Sequence, residues 1–169
     1  MIQIFDNVLP YIQLEHAYTH VREKVPYRLG WKDRRDSKEL YIHSRLELED
    51  INELGILQTI KDTPQIAEHV KPTLFDFAVV NLDTIGSVHH GHTHKNTNVF
   101  LLYLNTDWRQ EWGGETVFFD KETGEDIEFA CTPKGNRAVW FDGEIPHSIR
   151  APVVNEWRFS ISLFFRKET

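Results

Sequence analysis

The chain has 169 residues, enough for one hydrophobic core and too few for two, since a domain of this size buries only about two-thirds of the surface its unfolded form exposes. With 40% hydrophobic and 27% charged residues it has the composition of an ordinary globular protein, neither disordered nor built of membrane spans. The net charge of -7, without any Lys/Arg run, supplies no field for phosphate backbones, so nucleic acid is not an expected partner.

The N-terminus, Met1 to Asp6, lacks a basic segment followed by an apolar one, and no uninterrupted run of about 18 apolar residues occurs, so a cytoplasmic protein with no membrane partner is expected. From Pro10 to Glu23 apolar side chains recur at helical spacing, with the proline suited to a first turn, which predicts a packing helix. A polar loop, Lys32 to Lys38, leads to the β-leaning run Glu39 to Leu46. A short helix is expected from Ile51 to Thr59, and residues 60–71 read as a helical or irregular link. Beyond Pro72 short β-branched and aromatic runs alternate with turn residues: Phe75–Leu82, Asn98–Leu104, Glu115–Phe119, Asp126–Phe129, Ala138–Phe141 and Arg158–Phe165.

This order predicts a mainly β (α+β) fold, an antiparallel sandwich or barrel with the N-terminal helices packed against one sheet. The gaps in the C-terminal half are too short for the crossover helices of a parallel sheet. The expected organisation is a single domain over residues 1–169, with 1–71 as a helical and mixed support and 72–166 as the β core. In the last strand Arg158, Ser160 and Ser162 share one face while Phe159, Ile161, Leu163 and Phe165 share the other. One face therefore packs on apolar material and the other lines a polar cavity.

Cys131 is the only cysteine, which excludes an intramolecular disulfide and a four-thiolate metal site. Any metal must be held by histidines and carboxylates. Four histidines, His89, His90, His92 and His94, crowd one short segment ahead of a predicted strand. In an extended conformation His90, His92 and His94 point the same way, so two imidazoles can reach one cation, although a His-rich surface loop has the same pattern. A further histidine, His147, follows a strand and a turn, and Arg158 opens the last strand with its face toward the cavity. A buried arginine needs an anion. A bidentate carboxylate suits it, and so does an intramolecular salt bridge.

The order His92-Thr93-His94, Leu102-Tyr103-Leu104-Asn105, Trp112-Gly113-Gly114-Glu115-Thr116, Pro133-Lys134-Gly135, Phe141-Asp142-Gly143, Pro146-His147 and Arg158-Phe159-Ser160 resembles the 2-oxoglutarate- and Fe(II)-dependent oxygenases, prolyl 4-hydroxylase-like branch. The likeness runs from about Phe75 to Phe165. It implies a double-stranded β-helix, the jelly roll shared with cupins, in which His147 is the distal iron ligand and Arg158 grips the remote carboxylate of 2-oxoglutarate. Tyr103 is similar to the tyrosine that supports that carboxylate, and Ser160 lies on the face of Arg158. The implied cofactors are Fe(II), 2-oxoglutarate as cosubstrate, and O2. The implied reaction couples oxidative decarboxylation to succinate with hydroxylation of a small molecule or peptide, with no catalytic side chain beyond the metal ligands.

The chain departs from this family at one position. The family's His-x-Asp or His-x-Glu motif is His92-x-His94 here, and no acid occurs between Ile85 and Thr106. Imidazole in place of carboxylate removes one negative charge beside the metal. The expected metal set is therefore His92, His94 and His147, with His90-x-His92 as a second alignment. A third, His89-x-Gly91, resembles the halogenases of the superfamily. A cosubstrate-independent three-histidine cupin dioxygenase and a non-catalytic metal-binding barrel are the other readings. Trp108, Trp112, Phe118 and Phe119 are expected to pack, Gly113 and Gly114 to mark a tight strand entry or bulge. Substrate loops are expected around Arg28 to Lys38 and Thr106 to Trp112.

Overall fold

A computed structural model describes residues 1–29, 42–71 and 73–167, so the expected loop at 32–38 and the start of the strand at 39–41 lie outside the described residues. The first strand, β1 (Ile2–Asp6), leads into helix α1 (Tyr11–Glu23), with Pro10 immediately ahead of its first turn. Leu14, Ala17 and Val21 form the buried stripe of α1, and Tyr18 meets the ring of Phe159 edge-on at 5.7 Å. Strands β2 (Arg28–Leu29) and β3 (Ile42–Leu46) pair with each other.

The helix expected over Ile51 to Thr59 is in fact two. Gly55 adopts φ 64, which ends α2 (Leu48–Leu54) and begins α3 (Ile56–Asp62), and this left-handed conformation is one that glycine takes without penalty. The link that follows is helical as well, α4 (Pro64–Val70), with proline in its first turn. No helix among the described residues is long and apolar enough to cross a membrane.

The remaining strands are β4 (Thr73–Asp83), β5 (Thr97–Tyr103), β6 (Thr116–Phe119), β7 (Ile127–Cys131), β8 (Arg137–Asp142), β9 (His147–Ile149) and β10 (Arg158–Lys167). They form a seven-stranded sheet in the order β1-β8-β5-β10-β4-β3-β2 and a three-stranded sheet in the order β7-β6-β9. Every pairing between them is antiparallel. The architecture is a double-stranded β-helix with helices against the larger sheet. Strands β1, β2 and β9 lie outside those expected: β9 has only three residues, β2 only two, and β1 pairs with β8, far away in sequence.

Alternation along the strands divides the larger sheet cleanly. One face carries Val80, Leu82, Phe100, Leu102, Phe159, Ile161, Leu163 and Phe165 against Leu14, Val21, Ile51, Ile56, Ile60 and Val70 of the helices. The opposite face carries Val79, Val99, Leu101, Tyr103, Phe141 and Phe164, which meet Phe118 and Cys131 of the smaller sheet. The partition of β10 expected from its sequence is thus present, with Arg158, Ser160 and Ser162 on the inter-sheet side.

Asn105, just beyond β5, fixes the start of β10. Its Nδ2 donates to the Trp157 carbonyl at 2.8 Å, and its Oδ1 accepts from the Phe159 amide at 2.7 Å. Arg158 is clamped between these two bonds. Asn105→Ala would orphan a buried amide, which typically costs about 1–3 kcal/mol. Urea unfolding of the variant is expected to show a loss in that range, and an unchanged midpoint would remove this role.

Candidate metal centre

After β4 the chain leaves the larger sheet through a turn in which the Ser87 amide donates to the Thr84 carbonyl at 3.0 Å. It returns to pair with the smaller sheet at one point. His92 and His147 exchange both backbone hydrogen bonds, each at 3.0 Å, as an isolated antiparallel bridge at the edge of β9. Two residues on, the His94 amide donates to the Gly143 carbonyl at 2.7 Å, and the Gly143 amide donates to the Thr97 carbonyl at 2.8 Å. A Cβ on Gly143 would lie 2.7 Å from the Thr97 oxygen and 2.9 Å from the Cβ of His94. Only glycine leaves room there for the histidine segment.

The result is a triangle of imidazoles. Ring centroids are 4.9 Å apart for His92 and His94, 4.5 Å for His92 and His147, and 5.1 Å for His94 and His147. One nitrogen from each ring lies within 4.8 Å of the others. The Nδ1 of His147 donates to the Ile145 carbonyl at 2.7 Å, and that of His92 to the His90 carbonyl at 3.1 Å, so Nε2 is the atom each of these rings can offer to a metal. Burial, and then the neighbouring His92, lowers the pKa of His94 to about 4. Burial first, with His92 and His94 adding to it, takes His147 well below the usual range despite its bond to Ile145. Neutral imidazole is the form that binds metals, so the donor set fits a divalent first-row cation. His90, the alternative ligand, is exposed and stands outside this triangle.

The three rings open on a cavity of about 170 Å³ between the sheets, walled by Val79, Leu101, Phe141 and Phe164 and bordered by Asn81, His89, Thr116 and Ser162. Of the polar face of the last strand, expected to line the cavity, only Ser162 does so; Arg158 and Ser160 lie behind Thr116 with Tyr103. The Tyr103 hydroxyl donates to Thr116 Oγ1 at 2.8 Å, and the Arg158 guanidinium lies 4.8 Å over the Tyr103 ring, with Nη2 3.5 Å from the same Thr116 oxygen. Burial pushes the Tyr103 hydroxyl up, so it remains a donor at neutral pH. Ser160 Oγ and Arg158 Nε are buried without hydrogen-bond partners among the described residues. These unused groups fit a carboxylate ligand.

Arg158 is not empty-handed. Its Nη1 donates to Asp83 Oδ2 at 2.6 Å, with the two side chains 1% and 0% exposed, and His89 Nε2 lies 2.5 Å from the other Asp83 oxygen. Burial alone would raise the Asp83 pKa, but the bond to His89 and the charge of Arg158 outweigh it and leave the group below the usual carboxylate range. Of the two anions that Arg158 could have taken, the intramolecular one is present.

Asp83 and Thr116 do not stand out in the sequence. Asp83 ends a largely apolar strand that also holds Asp76 and Asn81, and only the register that sets Arg158 opposite Asp83 reveals the pair. His89, expected as a loop or outer residue, lines the cavity. The Gly113-Gly114 turn has a specific function: a Cβ on Gly114 would lie 2.9 Å from Arg158 Cδ. Trp108 and Trp112 pack edge to face at 5.3 Å, and Trp108 donates to the Gly113 carbonyl at 3.0 Å, so the Thr106 to Trp112 stretch supports this turn.

Two outcomes follow. Gly143→Ala is expected to weaken Co(II) binding by about tenfold or more, the scale seen when groups supporting a metal ligand are lost; equal affinity by calorimetry would separate Gly143 from the site. The metal-free protein is expected to be most stable above the unfolded histidine value of 6.5 and to lose stability as pH falls toward about 4, because the unfolded chain takes up protons that folded His94 does not. Thermal unfolding against pH should show a shallower slope for His94→Gln than for the native chain, and parallel slopes would contradict this.

The family model of the 2OG-Fe(II) oxygenase superfamily matches residues 62–166. No curated protein matches the chain in sequence. Among solved structures, a Pseudomonas putida prolyl-4-hydroxylase is similar with a TM-score of 0.67 at 18% identity, covering 98% of this chain and 92% of that one. A prolyl hydroxylase from Trichoplax adhaerens, in complex with a hypoxia inducible factor peptide fragment, has a TM-score of 0.71 at 15% identity, covering 98% and 83%. HygX from Streptomyces hygroscopicus, with nickel, 2-oxoglutarate and hygromycin B bound, has a TM-score of 0.68 at 10% identity, covering 98% and 82%. At such identities the structures establish the fold, while the family match spans both histidine segments and Arg158. The chain belongs to the 2OG-Fe(II) oxygenase superfamily.

Proposed function

We propose that this oxidoreductase is a 2-oxoglutarate-dependent dioxygenase that hydroxylates a small molecule or peptide, with His92, His94 and His147 holding Fe(II) and with Arg158, Tyr103 and Ser160 serving the cosubstrate. The observation that carries this reading is the triangle of imidazoles, drawn from two segments distant in sequence and set in a cavity bordered by Thr116, whose hydroxyl accepts from Tyr103 and lies 3.5 Å from the buried Arg158. The reading treats residues 1–169 as one working unit, the helices bracing the sheet from which β10 presents Arg158. A bound peptide in one structural neighbour and hygromycin B in another support both substrate classes equally.

When bound, iron would let O2 act as the oxidant, one oxygen atom going to 2-oxoglutarate, which leaves as succinate and CO2, and the other to the substrate. The protein's part is to bind, orient and exclude water. His92, His94 and His147 would hold the metal, Tyr103 and Thr116 present hydroxyls beside Arg158, and Val79, Leu101, Phe141 and Phe164 wall the cavity with apolar surface that disfavours water.

One observation favours a second reading. Arg158 already has an anion in Asp83, as a three-histidine dioxygenase without a keto-acid cosubstrate would require. Anaerobic addition of Fe(II) and then 2-oxoglutarate separates the two. The proposed function predicts a visible charge-transfer band, absent in His147→Ala, and succinate on admission of oxygen. Oxygen uptake that needs iron and substrate but no keto acid would establish the second reading instead.

A further inference from the structure

Arg158 is one cation facing two claims. Nη1 is held by Asp83 at 2.6 Å, Nε lies beside Gly114, and only Nη2, 3.5 Å from Thr116, adjoins the group that borders the cavity. We propose that Asp83 is a specificity-determining positioning residue: a built-in carboxylate that competes with the remote carboxylate of the cosubstrate for Arg158 and so limits what that second carboxylate adds to binding. This inference rests on the 2-oxoglutarate reading above.

The physical argument is one of charge and sharing. Asp83 is fully enclosed, and its contacts, Arg158 Nη1 and His89 Nε2, account for both of its oxygens. A ligand carboxylate reaching Nη2 therefore shares a guanidinium with an anion already in place, and two anions on one buried cation repel each other where no water screens them. Asp83 also has a compensating value. With His94 in place of the usual acid, the metal's ligands carry no negative charge, and Asp83 returns that charge to the cavity wall through Arg158, leaving the net charge of the site at the level a dianion neutralises. Strand pairing fixes this arrangement, because Asp83 and Arg158 are direct cross-strand partners at the ends of β4 and β10.

A purely structural ion pair would behave differently. Removing one partner would loosen Arg158 and weaken every ligand alike, whereas removing a competitor strengthens only the ligand that competes. Asp83→Asn retains an acceptor for Nη1 while deleting the charge, and Asp83→Ser makes the same deletion with a smaller group should the amide not fold.

The test is calorimetric titration of the Mn(II)-loaded native protein and both variants with 2-oxoglutarate and with 2-oxobutyrate, which keeps the keto acid and lacks the second carboxylate. In the native protein the second carboxylate is expected to improve binding by less than about tenfold, well short of a full charge-assisted grip. In either variant 2-oxoglutarate is expected to bind about tenfold tighter or more, with 2-oxobutyrate unchanged within about threefold. Equal or weaker 2-oxoglutarate binding in the folded variant, an equal gain for both keto acids, or a native preference well above tenfold would overturn the inference while leaving the 2-oxoglutarate reading intact. A protein that takes up Mn(II) but binds neither keto acid, native or variant, would overturn that reading and this one together.

Discussion

The reciprocal backbone bonds between His92 and His147 are the constraint on which the site depends. Each such bond adds only about 0.5–1.5 kcal/mol of net stability, so their importance is positional. They tie a segment that has left the larger sheet to the edge of the smaller one, and they bring together two rings that the chain order keeps far apart. The Gly143 carbonyl then fixes His94 from the turn between β8 and β9. Three side chains thus converge because two backbone segments, 92–94 and 143–147, are locked to each other at two points. The rings need no long excursion to meet, and little conformational entropy is lost in ordering them.

Charge is arranged around this frame with the same economy. Burial keeps His94 and His147 neutral, and the fixed positive charge sits apart on Arg158, stacked on Tyr103 and paired with Asp83. A buried ion pair contributes little to stability on balance, since desolvation offsets most of the attraction. Its persistence at 0% and 1% exposure beside the cavity marks it as part of the site's electrostatics. Gly114 belongs to the same arrangement, its missing side chain giving Arg158 passage.

Much of this was legible in the sequence. The six strands follow from short β-branched and aromatic runs bounded by turn residues, and α1 follows from helical spacing; the last strand even announces its polar side through Arg158, Ser160 and Ser162. The split at Gly55 went unread, since a lone glycine in a helical pattern only sometimes breaks it. Strand β9 went unread because three residues carry no period. In the site, His92, His94, His147 and Arg158 are visible as ordered motifs. Asp83 is not, because its significance arises only when β4 and β10 are in register. Thr116 is hidden for the same reason: it acquires its meaning from Tyr103 and Arg158, neighbours in space alone.

The central claim is that a three-histidine set, with no acid, holds iron in an oxygenase barrel. Anomalous diffraction at the iron edge, from crystals grown anaerobically with Fe(II) and 2-oxoglutarate, tests it most directly. The account predicts one iron peak bonded to nitrogens of His92, His94 and His147, with the keto acid in the cavity beside Thr116. Iron bonded to His89 or His90 instead, or an empty triangle at saturating Fe(II), would contradict it.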